Sequence, residues 1–221
     1  MPELPPPWLF KIISVIQPTI IVTLAVAVGV WLSPSVGLHS PAAEAAANGE
    51  PFFPKLKPQI LPGLIAGLAT GVALVASWVV AKPFFTEEFV NRALEFNKFM
   101  PHITRFLYGG LTEEILLRWG VMTFLVWAKW RIFQKGEGTP KTRYFVAAIV
   151  ISAVVFGMGH LPIASMLAGG LTLPIVIYVI TANSIFGIAA GFLYWRRGLE
   201  AAMIAHISAH VVLISAIYLA F

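Results

Sequence analysis

The chain has 221 residues, of which 58% are hydrophobic and only 11% charged, with a net charge of +5 and a mean hydropathy of +0.84. Soluble domains carry roughly 25% charged residues, so this composition is that of an integral membrane protein. Cysteine is absent, which excludes disulfides and thiolate metal sites, and no long basic run supports a nucleic-acid partner.

A membrane span needs ~20 mostly apolar residues. In chain order, six segments meet or approach this: 12–32, 60–81, 106–127, 144–159, 171–195 and 199–221. PAAEAAA follows the first, as after a signal peptide, but the apolar stretch is long and no basic cluster precedes it, so it reads as a retained span. Residues 34–58 are rich in Pro, Ala and Gly and read as an irregular loop. Residues 84–100 differ. Phe85, Phe89, Phe96 and Phe99 recur at helical spacing, while Glu87, Glu88, Arg92, Glu95 and Lys98 take other faces. This is the pattern of an interfacial amphipathic helix, with Thr86 as its start signal. Trp78, Trp127, Trp130, Tyr144, Tyr194 and Trp195 fall near span ends, where amphipathic rings favour the interface. The expected fold is therefore all-α and multi-pass, one transmembrane domain over 1–221, with about six transmembrane helices, one surface helix and membrane lipids as partners.

Side A denotes the membrane face carrying the N-terminus, the 82–105 connector and the 160–170 turn. Side B then holds Lys55, Lys57, Lys129, Arg131, Lys135, Lys141, Arg143, Arg196 and Arg197, against Lys11, Lys82, Arg92, Lys98 and Arg105 on side A. The excess of basic residues points to a cytoplasmic side B, but the charges of the amphipathic helix enter the count, so the topology stays open.

Ionisable groups inside spans are costly and usually functional. Those singled out at depth are Glu113, Glu114 and Arg118 on the third span, His160 at the end of the fourth, and His206 and His210 on the sixth. At 1.5 Å per residue, Glu113 lies ~12 Å from side A, His160 ~5 Å, His206 ~16 Å and His210 ~10 Å. Three segments distant in sequence thus place polar groups in the same half of the bilayer. Glu114 and Arg118, four apart, can pair along one face. Glu113, rotated ~100° from Glu114, can point into a cavity toward the histidines. Simpler roles exist: a structural Glu-Glu-Arg ion pair, a headgroup-facing His160, and a packing pair of His206 and His210. Asn183 and Ser184, and the glycines of spans two and five, read as close-packing positions.

Two schemes suit such a group. Glu113 and His160 can hold and deprotonate a water while His206 and His210 donate to an oxyanion. Alternatively His160, His206, His210 and Glu113 can bind zinc, which activates the water. HExxH is absent, as are a GxSG serine and a GxGD aspartate; the chain has no Asp at all.

EEILLR (113–118) resembles the EExxxR motif of the CAAX protease and bacteriocin-processing family, also called the Abi family of intramembrane proteases. FGMGH (156–160) resembles its FxxxH motif. HISAH (206–210) stands where the family often has HxxxN, so His210 replaces an Asn. The motifs lie within a core of residues 106–215. The resemblance implies a multi-helix membrane endopeptidase acting near a membrane-embedded C-terminus of a protein or peptide, prenylated in one branch of the family. It implies Glu113 as the water-activating glutamate, His160 as its partner, His206 as an oxyanion donor and Arg118 as a positioning residue. Glu114 shares the motif without a separate role. It also implies a metal-free mechanism with no cofactor, while His210 keeps the zinc scheme open. Rival readings are a proton-coupled transporter, which repeated halves would favour, and a non-proteolytic immunity or scaffold protein.

Overall fold

The computed structural model describes residues 6–220, whose regular structure is all helical, with no strand among them. The helices are α1 (Pro7–Val36), α2 (Pro41–Ala47), α3 (Phe52–Ala81), α4 (Glu87–Phe99), α5 (His102–Thr104), α6 (Thr123–Gln134), α7 (Thr142–Gly159), α8 (Leu161–Ala168), α9 (Leu173–Arg197) and α10 (Leu199–Leu219). Between α5 and α6 the chain stays helical through two π-helical stretches, Arg105–Glu113 and Ile115–Met122. Five segments are long and apolar enough to cross a membrane: Lys11–Val36, Phe52–Phe84, Thr142–Ala168, Leu173–Arg197 and Leu199–Leu219. The third expected span, 106–127, is the π-helical run and the start of α6. The end of the expected last span, Phe221, lies outside the described residues.

Glycine sets how the helices meet. Gly63, Gly67 and Gly71 of α3 face Ala201, Ala205 and Ala209 of α10 so closely that an added Cβ at Gly67 would lie 2.3 Å from the Ala205 carbonyl oxygen. The ascending order on both helices makes them parallel. Gly157, Gly187 and Gly191 do the same for α7 and α9, which run antiparallel. Small residues allow backbones to approach without a hydrophobic driving force inside lipid, as the sequence reading of these glycines expects. Ser184 adds an interhelical bond, its Oγ donating to the Ala153 carbonyl (3.2 Å).

Three sequence expectations are corrected. Residues 34–58 are not an irregular loop: α1 extends to Val36, α2 fills Pro41–Ala47 and α3 begins at Phe52. The cause is remote in sequence. The buried Glu200 carboxylate accepts from the backbone N–H of Ala42 (3.0 Å) and Ala43 (2.9 Å), from Ser40 Oγ (2.8 Å) and from Gln59 Nε2 (3.0 Å). It satisfies the open N–H groups of α2 and ties the segment to α10. Second, the rings of Tyr144 and Tyr194, though near helix ends, do not face outward: both are buried, and Tyr194 is hydrogen-bonded to Thr123 Oγ1 at 2.8 Å. Third, the Phe face of α4 is divided. Thr86 does cap the helix, accepting from the Phe89 N–H, and the Glu88–Arg92 pair is exposed. Phe89, however, is buried with Ala164, Ile175 and Val179, and Phe85 stacks edge-on against it and Tyr178. Phe99 remains 88% exposed. The helix thus roofs the side-A end of the bundle with one part of its apolar face.

Candidate active site

The π-helical run lies against α10 in the opposite direction, Gly109 meeting His210, Gly110 meeting Ile207 and Glu113 meeting His206. π turns occur frequently at functional sites. Glu113 ends the first π stretch and Glu114 lies between the two, and both reach one imidazole. His206 Nδ1 lies 2.7 Å from Glu114 Oε1, and its Nε2 lies 3.8 Å from Glu113 Oε2. The expected division, with Glu114 serving only Arg118, is therefore incomplete: Glu114 also holds His206.

Glu114 and Arg118 are fully buried and joined by a 3.1 Å bond from Nη1. Removing two charges from water is expensive, and the arrangement compensates at several points. Arg118 Nη2 donates to the Gly187 carbonyl at 3.2 Å. The guanidinium carbon stands 5.1 Å from the Phe156 ring centroid and 5.6 Å from that of Phe186, within cation–π range. Phe186 also packs on His206, with centroids 4.2 Å apart.

Phe156 performs a second task. Its carbonyl oxygen lies 2.9 Å from His160 Nδ1. A carbonyl only accepts, so Nδ1 carries the hydrogen and a neutral His160 presents the lone pair of Nε2. His160 marks the break between α7 and α8, which turns its ring inward rather than along a continuing helix. His210 stacks on His206 with centroids 4.9 Å apart, and its buried Nδ1 has no hydrogen-bond partner.

Glu113, His160, His206 and His210 line one cavity of about 880 Å³, shared with Asn183 and with residues of α1 and α4. Glu114 and Arg118 stand behind its wall. All six residues singled out in the sequence are thus gathered at one place. Four contributors were missed there: Gly109, whose missing Cβ leaves room for His210 Nε2; Gly187, as an acceptor; and Phe156 and Phe186, as the rings around the guanidinium. The first position of the FxxxH pattern was the available signal for Phe156; the others have none. Among the described residues, no group of three or more His, Cys, Asp or Glu is arranged to hold a metal ion.

No curated protein and no solved structure matches the chain. The model of the Type II CAAX prenyl endopeptidase Rce1-like family matches residues 95–212, a stretch that contains Glu113, Glu114, Arg118, His160, His206 and His210. With that match covering more than half its length, the chain belongs to the Type II CAAX prenyl endopeptidase Rce1-like family, and is an integral membrane protein of a CAAX-type protease family.

Proposed function

We propose that the chain is a multi-pass, glutamate-dependent intramembrane endopeptidase that cleaves a peptide bond near the C-terminus of a membrane-held, prenylated polypeptide. The observation that carries this reading is the placement of Glu113 and His160 on one cavity, with Glu113 3.8 Å from an imidazole that a buried ion pair fixes. Water is held between the Glu113 carboxylate and the lone pair of His160 Nε2. Glu113 takes a proton as the water oxygen attacks the scissile carbonyl carbon. The resulting oxyanion accepts a hydrogen bond, the C–N bond breaks, and the proton on Glu113 passes to the leaving amine.

The hydrogen-bond pattern divides the labour of the two helix-ten histidines. His206 directs Nδ1 at Glu114, so a neutral ring whose Nδ1–H points there offers Nε2 as an acceptor. Its Nε2 stands 3.8 Å from Glu113 Oε2 and faces that carboxyl when it carries the proton taken from water. His210, which lines the cavity, supplies the oxyanion donor at the position where the family it resembles often has an amide. The mechanism requires neither a metal nor a cofactor.

The test is hydrolysis of an S-farnesyl peptide by purified chain in lipid nanodiscs. Glu113→Gln is expected to fold normally and to lose at least about 100-fold in rate. Full activity in that variant removes Glu113 from the reaction.

A further inference from the structure

Two arginines are buried near the cavity, and only one has a countercharge. Arg118 is matched by Glu114. Arg105 is 6% exposed and lines the cavity toward its side-A end, yet among the described residues no carboxylate pairs with it. Its Nη1 donates to Asn97 Oδ1 at 3.0 Å and its Nη2 to the Asn97 carbonyl, both neutral acceptors. Its Nε is buried and has no partner. A guanidinium does not lose its proton in proteins, so this is a fixed positive charge on the cavity wall, mostly covered by protein. Such a charge is costly unless an anion meets it.

The position of the arginine indicates which anion. Arg105 begins the π-helical run that ends at Glu113. Gly109, against which His210 packs, lies between them. Eight residues separate the arginine from the glutamate, at most ~12 Å along the axis at α-helical rise. Three residues of extended peptide span ~10 Å. A peptide whose scissile carbonyl meets Glu113, and which runs along this helix past His210, therefore brings its third or fourth following residue to Arg105. Building on the peptidase reading above, we infer that Arg105 receives the free C-terminal carboxylate of the substrate. It sets the number of residues removed by the distance between its guanidinium and Glu113. Asn97 of α4 holds the guanidinium in place, so α4 forms part of the substrate site as well as its roof.

The test measures binding, so its outcome does not depend on turnover. A peptide ending in S-farnesylcysteine and three apolar residues is prepared as the free acid and as the C-terminal carboxamide. Both are titrated against the Glu113→Gln chain in nanodiscs of zwitterionic lipid. The acid is expected to bind at least about tenfold more tightly than the amide, as suits a hydrogen bond to a charged group. Adding Arg105→Gln should bring the acid down to the affinity of the amide, and Arg105→Lys should keep part of the difference. Equal affinities with Arg105 present, binding of neither form, or a difference that survives Arg105→Gln overturns the inference. So does loss of the difference on adding anionic phosphatidylglycerol, which would assign the site to a headgroup phosphate. Hydrolysis of the acid peptide by the chain with Glu113 intact is a separate readout. Its absence overturns the peptidase reading without touching carboxylate capture.

Discussion

His206 is bound to Glu114 at 2.7 Å, through the same carboxylate oxygen that receives Arg118. One buried oxygen thus links the ion pair of the third apolar segment to an imidazole of α10. The link has two separable consequences, for stability and for chemistry.

Glu114→Ala leaves a buried guanidinium unpaired and is expected to cost about 3–5 kcal/mol. Replacing both members, Glu114→Leu with Arg118→Met, removes the charge and its partner together and should restore most of that stability. Activity should not return, because His206 then lacks the acceptor that orients it; a deficit of about 100-fold is expected to persist. Thermal unfolding in detergent beside peptide hydrolysis measures both. Recovery of rate with stability would make Glu114 a purely structural residue.

Gly109 faces the cavity from the π-helical run. A Cβ there would lie 2.5 Å from His210 Nε2 and 3.4 Å from His206 Nε2. Since the obstacle is the end of a side chain, the protein can yield by rotating His210. Gly109→Ala should therefore cost at most about 1–3 kcal/mol of stability while displacing the imidazole assigned to the oxyanion. The rate should fall about 100-fold, the loss typical of one oxyanion donor. If the rate is unchanged while His210→Ala is inactive, the ring moves without consequence and its position is not what matters.

Gly67 presents the contrasting case, because its neighbour is backbone. Its added Cβ would lie 2.3 Å from the Ala205 carbonyl oxygen and 2.8 Å from the Ala205 Cα. No rotamer relieves that contact, so α3 and α10 must separate. Gly67→Ala should lower stability by about 1–3 kcal/mol or more, and Gly67→Leu should prevent recovery of folded protein. Because α10 carries His206, residual activity should fall with the distortion. A Gly67→Ala protein of unchanged melting temperature would contradict the packing of these helices.

How much of this was legible beforehand follows from which interactions are local. Helical spans, the pairing of Glu114 with Arg118 and the shared depth of Glu113, His160, His206 and His210 follow from residue spacing and the bilayer as solvent. The fourfold glycine spacing on α3 was likewise readable as close packing. The helical course of 34–58 was not, because it depends on a carboxylate at residue 200. The approach of Glu114 to His206 depends on how α10 packs against the π-helical run, which no local spacing records. The Phe rings around Arg118 were hidden for another reason: a phenylalanine in a membrane helix normally faces lipid, and only the tertiary structure shows which do not.

The site's dependence on metal remains to be set by its donors. His160 commits Nδ1 to the Phe156 carbonyl and His206 commits Nδ1 to Glu114. Each has only Nε2 facing the cavity, and His206 Nε2 is directed to Glu113. A zinc ion would need three or four such atoms at about 2 Å in a tetrahedral arrangement. Among the described residues these side chains are not arranged that way, and His210 stacks ring on ring with His206 instead of converging with it. Purified protein is therefore expected to contain far less than one equivalent of zinc, and hydrolysis should survive dialysis against a chelator. His210→Asn, which keeps one hydrogen-bond donor and removes a zinc ligand, should retain most of the rate. Stoichiometric zinc, activity lost with the metal and restored by its return, and an inactive His210→Asn would together replace the glutamate-and-water scheme with a metal-bound water.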